Sequence, residues 1–234
     1  MGADVVRAGA VVEQLPQRRD VARIAAGETE QTRFAFRDLI AARVREARES
    51  LGPGVAIMVD AHGTWSVREA QRFARKVADC DLAWLEEPVS PDNVAGQAEV
   101  RASTDIPIAA GETEQTRFAF RDLIAARAVD VLQPDVAIAG GITETLRIAA
   151  LAATHGLTLA PHLWGGAVLF ASGLHLAVAT PCVTTLEFSR GDNPLLHDLL
   201  EEPFELVDGS IIASDRPGLG ITLRRDFVRS ITVE

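Results

Sequence analysis

The sequence predicts an α/β barrel, on three observations. Six short apolar runs are each followed by an ionisable residue: VAIMV by Asp60, LAWL by Glu86, PIAAG by Glu112, VLQP by Asp135, TLAP by His162 and VTTL by Glu187. Those residues recur at intervals of 23 to 27 positions, about what a strand, a turn, a helix and a return loop consume in one unit of an eight-unit barrel. The runs are β-branched and apolar on both faces, with helical patterns between them, as in a parallel sheet covered by helices. An open sheet gathers functional residues at one switch point, so ionisable residues after every strand favour the closed form. Six such side chains at one mouth are costly for stability and useful for catalysis.

The elements follow in order. Residues 1–54 stand apart, because 24–43 (IAAGETEQTRFAFRDLIAAR) recur identically at 108–127. Core packing tolerates many substitutions, so twenty identical residues read as a recent duplication or an error of gene assembly. The copy can still form a strand and a helix running through VREARES to Gly52, with a further strand from 4–15. Ser66 precedes a helix with Glu69 three residues on, a capping box, and Ala70, Phe73 and Val77 share one of its faces. Thr116 opens RFAFRDLIAAR, and Thr143 opens a helix that Gly156 ends as a C′ glycine. Gly165-Gly166 lead into AVLFASGLHLAVA, which Pro181 stops. Residues 55–189 thus carry the ladder. Residues 190–234 form a tail with a hairpin turn at Asp208-Gly209.

Composition narrows the function. The chain has 234 residues, 47% of them hydrophobic, enough to fill a sizeable core, and a net charge of −10. No basic stripe invites nucleic acid, and no 18-residue apolar run suggests a membrane span. Cys80 and Cys182 are isolated, as in a reducing compartment. These features predict a soluble cytoplasmic protein.

The ladder carries the chemistry. Asp60, Glu86 and Glu112 follow three successive strands. Each alone could cap the next helix, but three together would repel unless a cation joined them, and all-oxygen ligation suits Mg²⁺. Asp135 and His162 follow the next two strands. An Asp bonded to one imidazole nitrogen fixes the tautomer and raises the basicity of the other, which makes His162 a candidate general base. Glu187 could support a substrate carboxylate. His62, two residues past Asp60, would share its side of a continuing strand; it reads equally as a solvated loop residue before Gly63.

The motifs VDAHG, WLEEP, AAGE, QPD, APH and LEF, in this order and spacing, resemble the barrel domain of the enolase superfamily, mandelate racemase branch, over about residues 51–225. The resemblance implies a (β/α)7β TIM-like barrel, here expected to be incomplete at its first two strands and to lack the family's N-terminal α+β capping domain. It implies Mg²⁺ on Asp60, Glu86 and Glu112, an Asp135–His162 dyad, and Glu187 near the substrate carboxylate. The shared step is removal of a proton α to a carboxylate, and such sites use a Lys or His base with Mg²⁺. A His two residues after the first ligand, matched by His62, resembles the acid-sugar dehydratases, where it protonates the departing β-hydroxyl. The Lys-x-Lys motif of racemases and cycloisomerases has no counterpart, since Lys76 is the one lysine. The expectation is an Mg²⁺-dependent dehydratase of a small sugar acid; the alternatives are an inactive metal-binding barrel fragment and a racemase or epimerase. The tail residues Phe204, Leu206, Ile211, Ile212, Ile221 and Phe227, expected to lie exposed without a capping domain, suggest a homo-oligomer.

Overall fold

The computed structural model describes residues 5–7 and 30–233, with side chains from 38 onward. The expectations for Glu28, as a carboxylate that does not bind metal, and for weak order across residues 1–23 lie largely outside the described residues. The described residues form two compact units, one of 30–109 with 127–129, the other of 5–7, 110–126 and 130–233. The chain opens with β1 (Val5–Arg7), a member of the second unit.

In the first unit, helix α1 (Glu30–Leu51) precedes β2 (Ile57–Asp60), α2 (Val67–Lys76), a 3-10 turn (Ala78–Cys80), β3 (Leu82–Glu86), α3 (Val94–Ala102) and the first residues of β4 (Ile108–Ala110). The repeat thus does extend its helix to the expected Gly52, which turns left-handed at φ 71 and donates its N–H to Arg48. Parallel pairing sets Val59 against Leu85 and Asp60 against Glu86. On the other side of β3, Leu85 pairs with Ile108 and Glu86 with Ala109. Ile57, Leu85 and Ile108 are buried with Ala70, Phe73, Ala74 and Val77, so one apolar face of α2 meets the apolar strands. The capping box forms: Ser66 Oγ accepts the Glu69 N–H, and Glu69 accepts the Ser66 N–H. Trp65 closes the cluster, its ring 4.8 Å from that of Phe73.

The second unit continues from Ala110, whose carbonyl accepts the Gln133 N–H. It contains α4 (Thr116–Ala125), β5 (Val131–Leu132), α5 (Val136–Ala139), α6 (Ile142–Thr154), β6 (Thr158–Leu159), α7 (Ala167–Ala179), α8 (Pro194–His197), β7 (Ser210–Ile212) and α9 (Arg225–Ile231). β5 and β6 pair in parallel, and Leu159 bridges onward to Val183. Gly156 ends α6 in the left-handed region, and Thr180-Pro181 stop α7. Asp208 and Gly209, both at positive φ, join Val207 and Ser210 through two 2.9 Å hydrogen bonds, the backbone of a type I′ turn.

Four expectations change. First, only Asp60 and Glu86 end their strands. Glu112, Asp135 and His162 lie beyond strands that stop earlier, while Glu187 follows the bridge residue Leu186 and belongs to no strand. Gly111 at φ 131 and the prolines of QPD and APH explain why, since neither continues a ladder. Second, the segment 4–15 contributes β1, but antiparallel to β7 rather than as a parallel barrel strand. Third, the chain turns after Asp60, so His62 does not alternate along a strand. Fourth, the tail is largely packed: Ile211 is buried, and Phe204, Leu206, Ile221 and Phe227 pack against the core cluster that includes Phe170 and Leu174, with the Phe204 ring 4.6 Å from that of Phe170, leaving Ile212 exposed. The inference of an oligomer from a bare tail therefore loses its basis.

Arg48 fastens the duplicated helix. Its guanidinium donates to the carbonyls of Cys80, Gly52, Val55 and Asp81 at 2.7 to 2.9 Å. A planar fork can serve four acceptors at once and an ammonium cannot. Replacing Arg48 with Lys is expected to lower stability by ~1–3 kcal/mol, read as a lower urea midpoint.

Candidate functional site

Asp135 is buried at the start of α5, and its two oxygens have separate partners. Oδ1 accepts the N–H groups of Ala137 and Ile138, at 2.7 and 3.2 Å, and so caps the helix. Oδ2 accepts Nδ1–H of His162 at 2.9 Å. The cap holds the carboxylate still, and the carboxylate fixes the imidazole tautomer, so Nε2 is the atom left to exchange protons. Nε2 lies 3.5 Å from Oε2 of Glu112.

The loop carrying His162 is held on both sides. Leu163 donates its N–H to Glu187 Oε2 at 2.5 Å. Its side chain is buried against Gly173, where an added Cβ would stand 2.3 Å from Leu163 Cδ2. Asn193 Nδ2 donates to the Gly165 carbonyl at 3.0 Å, while Asn193 Oδ1 caps α8. The second unit thus brings together four of the expected residues: Glu112, Asp135, His162 and Glu187. Glu187 acts on the backbone of the His162 loop, in addition to the support for substrate expected of it.

The first unit holds the other three. The β2–β3 register sets Asp60 beside Glu86. Asp60 Oδ1 accepts the His62 N–H at 2.7 Å across a turn in which His62 sits at φ 51. The His62 Nδ1 stands 3.6 Å from Asp60 Oδ2, with the side chain 74% exposed. Glu86 Oε2 accepts the indole N–H of Trp84 at 3.0 Å. Two strand-end carboxylates, each oriented by an N–H donor, present oxygens of the kind a hard cation takes. Among the described residues no group of three or more His, Cys, Asp and Glu side chains closes into a metal cluster. Within the second unit, Glu112 faces the imidazole of His162.

Sequence reasoning passed over Trp84 and Asn193. Both leave a signal: Trp84 lies two residues before Glu86 on one strand, hence on one face, and Asn193-Pro194 has the N-cap and N1 residue types.

Burial pulls the His162 imidazole down. The Asp135 hydrogen bond and the charges of Glu187, Glu112 and Asp135 outweigh it and push the group up to about 9. His162 is therefore an imidazolium at neutral pH in the chain without bound metal.

The family model described as enolase C-terminal domain-like matches residues 41–227. The chain belongs to that family. Its fold class is accordingly the α/β TIM barrel of the enolase superfamily. The chain is 38% identical over 191 residues to the D-galactarolactone cycloisomerase of Agrobacterium fabrum, covering 78% of this chain and 50% of that protein. It is 40% identical over 181 residues to the L-talarate/galactarate dehydratase of Salmonella typhimurium, covering 77% and 43%. The chain thus spans about half the length of these relatives. Among solved structures it resembles an enolase from Bradyrhizobium complexed with magnesium and mandelic acid, with TM-score 0.82, 29% identity, and coverage of 99% of this chain and 64% of that one. It also resembles the 3,6-anhydro-D-galactonate cycloisomerase from Zobellia galactanivorans, with TM-score 0.84, 27% identity, and coverage of 97% and 66%.

A stability profile follows from His162. Its folded value lies above the ordinary 6.5, so protonation favours the folded state. That stabilisation is fully present below pH 6.5 and is lost as pH rises through about 9. In EDTA, Tm is expected to fall between pH 6.5 and 9, and the His162→Asn variant is expected to show a flatter profile over that range.

Proposed function

We propose that the chain is the catalytic barrel of an Mg²⁺-dependent acid-sugar dehydratase. The observation that carries this reading is the Asp135–His162 pair, with Nε2 facing the Glu112 carboxylate. It is supported by relatives named as sugar-acid dehydratases, including an arabinonate and a D-galactonate dehydratase.

Asp60, Glu86 and Glu112 would hold the cation, as their donor chemistry suits. The ion would set divalent positive charge against a substrate carboxylate, favouring loss of the neighbouring proton. A cation held there would offset the Glu112 charge beside His162, and the neutral imidazole is the form that accepts a proton. Nε2 then takes the proton α to the carboxylate, and Asp135 stabilises the imidazolium that forms. The electron pair of the broken C–H bond forms a carbon–carbon double bond as the β C–O bond breaks. His62 protonates the departing hydroxide to give water. The resulting enol tautomerises to a 2-keto-3-deoxy acid. Glu187 holds the His162 loop through Leu163 and adds negative charge that keeps the imidazolium favoured. His62 suits its part by exposure: it reaches solvent to recover a proton after each turnover.

A second reading draws on the cycloisomerases among the relatives. It shares the α-proton step and differs in the fate of the β-substituent. Products separate the two, because a dehydratase releases one water per turnover and an isomerase leaves the mass unchanged.

The test is incubation of the chain with a panel of aldonic and aldaric acids and Mg²⁺, followed by mass spectrometry and 2-keto acid assay. Dehydration of at least one acid is expected. His162→Asn should reduce it by ~10²–10⁴-fold, and His62→Asn should block water loss. Turnover undiminished in the His162 variant, or no turnover of any acid, would overturn the assignment.

A further inference from the structure

We propose that Glu144, on α6, is a positioning residue that sets Glu112 by capping helix α4 from a neighbouring helix. The functional weight of this inference rests on reading Glu112 as a site carboxylate; the structural part does not.

The duplicated segment supplies an internal comparison. Identical residues occupy 24–43 and 108–127. In the first copy the helix begins at Glu30 and contains Thr32 and Arg33. In the second copy the residues matching Glu30 and Gln31, namely Glu114 and Gln115, lie outside the helix. Gln115 is extended, at φ −106 and ψ 133, and Thr116 stands at φ 59. A β-branched residue in the left-handed region is a true outlier. Local sequence does not explain it, because the same local sequence is helical 84 positions earlier.

The second copy has Glu144 as a specific partner. Glu144 Oε1 accepts the backbone N–H of Arg117 at 2.9 Å. Its Oε2 accepts from the guanidinium groups of Arg117 and Arg147, at 2.9 and 3.0 Å. The Arg117 N–H is one of the donors that a helix start leaves without an intrahelical acceptor, and Gln115 offers no side-chain cap. Glu144 supplies that cap from α6, with its side chain only 13% exposed. Backbone capping by Arg117 and the Arg147 contact also keep Glu144 below the usual carboxylate range, so it is a charged acceptor.

The cap fixes where α4 begins, and that start fixes the preceding turn. Glu114 donates its N–H to the Gly111 carbonyl at 3.1 Å. Gly111 is at φ 131, where an added Cβ would stand 2.6 Å from the Phe120 ring. Glu112 sits inside this turn, 3.5 Å from His162 Nε2. Were α4 to grow back to Glu114, as its twin does to Glu30, the turn would unwind and Glu112 would leave His162.

The experiment uses the full 234-residue chain. Glu144→Ala and Glu144→Met remove the acceptor, the second keeping much of the side-chain volume. Glu144→Gln keeps an oxygen for the Arg117 N–H. The ¹³Cα shifts of Glu114, Gln115 and Thr116 report the helix start, and calorimetry reports Mg²⁺ affinity. In the Ala and Met variants those shifts are expected to move to helical values and the Mg²⁺ Kd to rise ~10-fold or more; the Gln variant is expected to stay near wild type. Unchanged shifts in a folded Ala or Met variant would overturn the cap. Shifts that move while Mg²⁺ affinity holds would overturn the positioning of Glu112. Shifts that move in a chain whose wild type binds no Mg²⁺ would support the cap and remove the metal reading instead.

Discussion

The two oxygens of Asp135 serve two masters, and the site depends on both. One closes the first turn of α5 and the other orients His162. A carboxylate spent on one task alone would be free to rotate. Here the helix N–H groups fix its plane, and the imidazole inherits that orientation. The same residue is buried, and three N–H donors satisfy its two oxygens there. Burial, capping and tautomer control are therefore one arrangement.

The surrounding packing serves the same end. Leu163 follows His162 and is anchored at both ends, by Glu187 at its amide and by Gly173 beneath its side chain. Asn193 holds the carbonyl of Gly165 further along the same loop. Side chains that exchange protons need fixed supports, because small displacements cost rate steeply. In the first unit, the strand register sets Asp60 beside Glu86, and the turn after Asp60 returns the His62 amide to its carboxylate.

Much of this was legible in the residues. The spacing of apolar runs identified the repeated strand and helix units, and the capping box at Ser66–Glu69, the stop at Gly156 and the turn at Asp208-Gly209 each formed as local chemistry dictates. The pairing of Asp135 with His162 was readable from their neighbouring strands. What local patterns did not carry was set by tertiary contact. Strands stopped short of Glu112, Asp135 and His162, because glycine or proline ends the ladder before the charged residue arrives. The duplicated segment shows the limit most directly: Leu39 is 42% exposed in one copy while its twin Leu123 is 2% exposed in the other. Identical sequences bury different faces, so no reading of those twenty residues alone could have told the two apart.

In the proposed function, Asp135 makes His162 the base that removes a proton α to a carboxylate. The direct measurement is solvent deuterium incorporation at the α-carbon of a sugar acid, followed by proton NMR with Mg²⁺ present, in the wild-type chain and in Asp135→Asn. Incorporation by the wild type and a loss of at least ~100-fold in the variant are expected, with the fold retained. Equal incorporation by both proteins would contradict that role of Asp135.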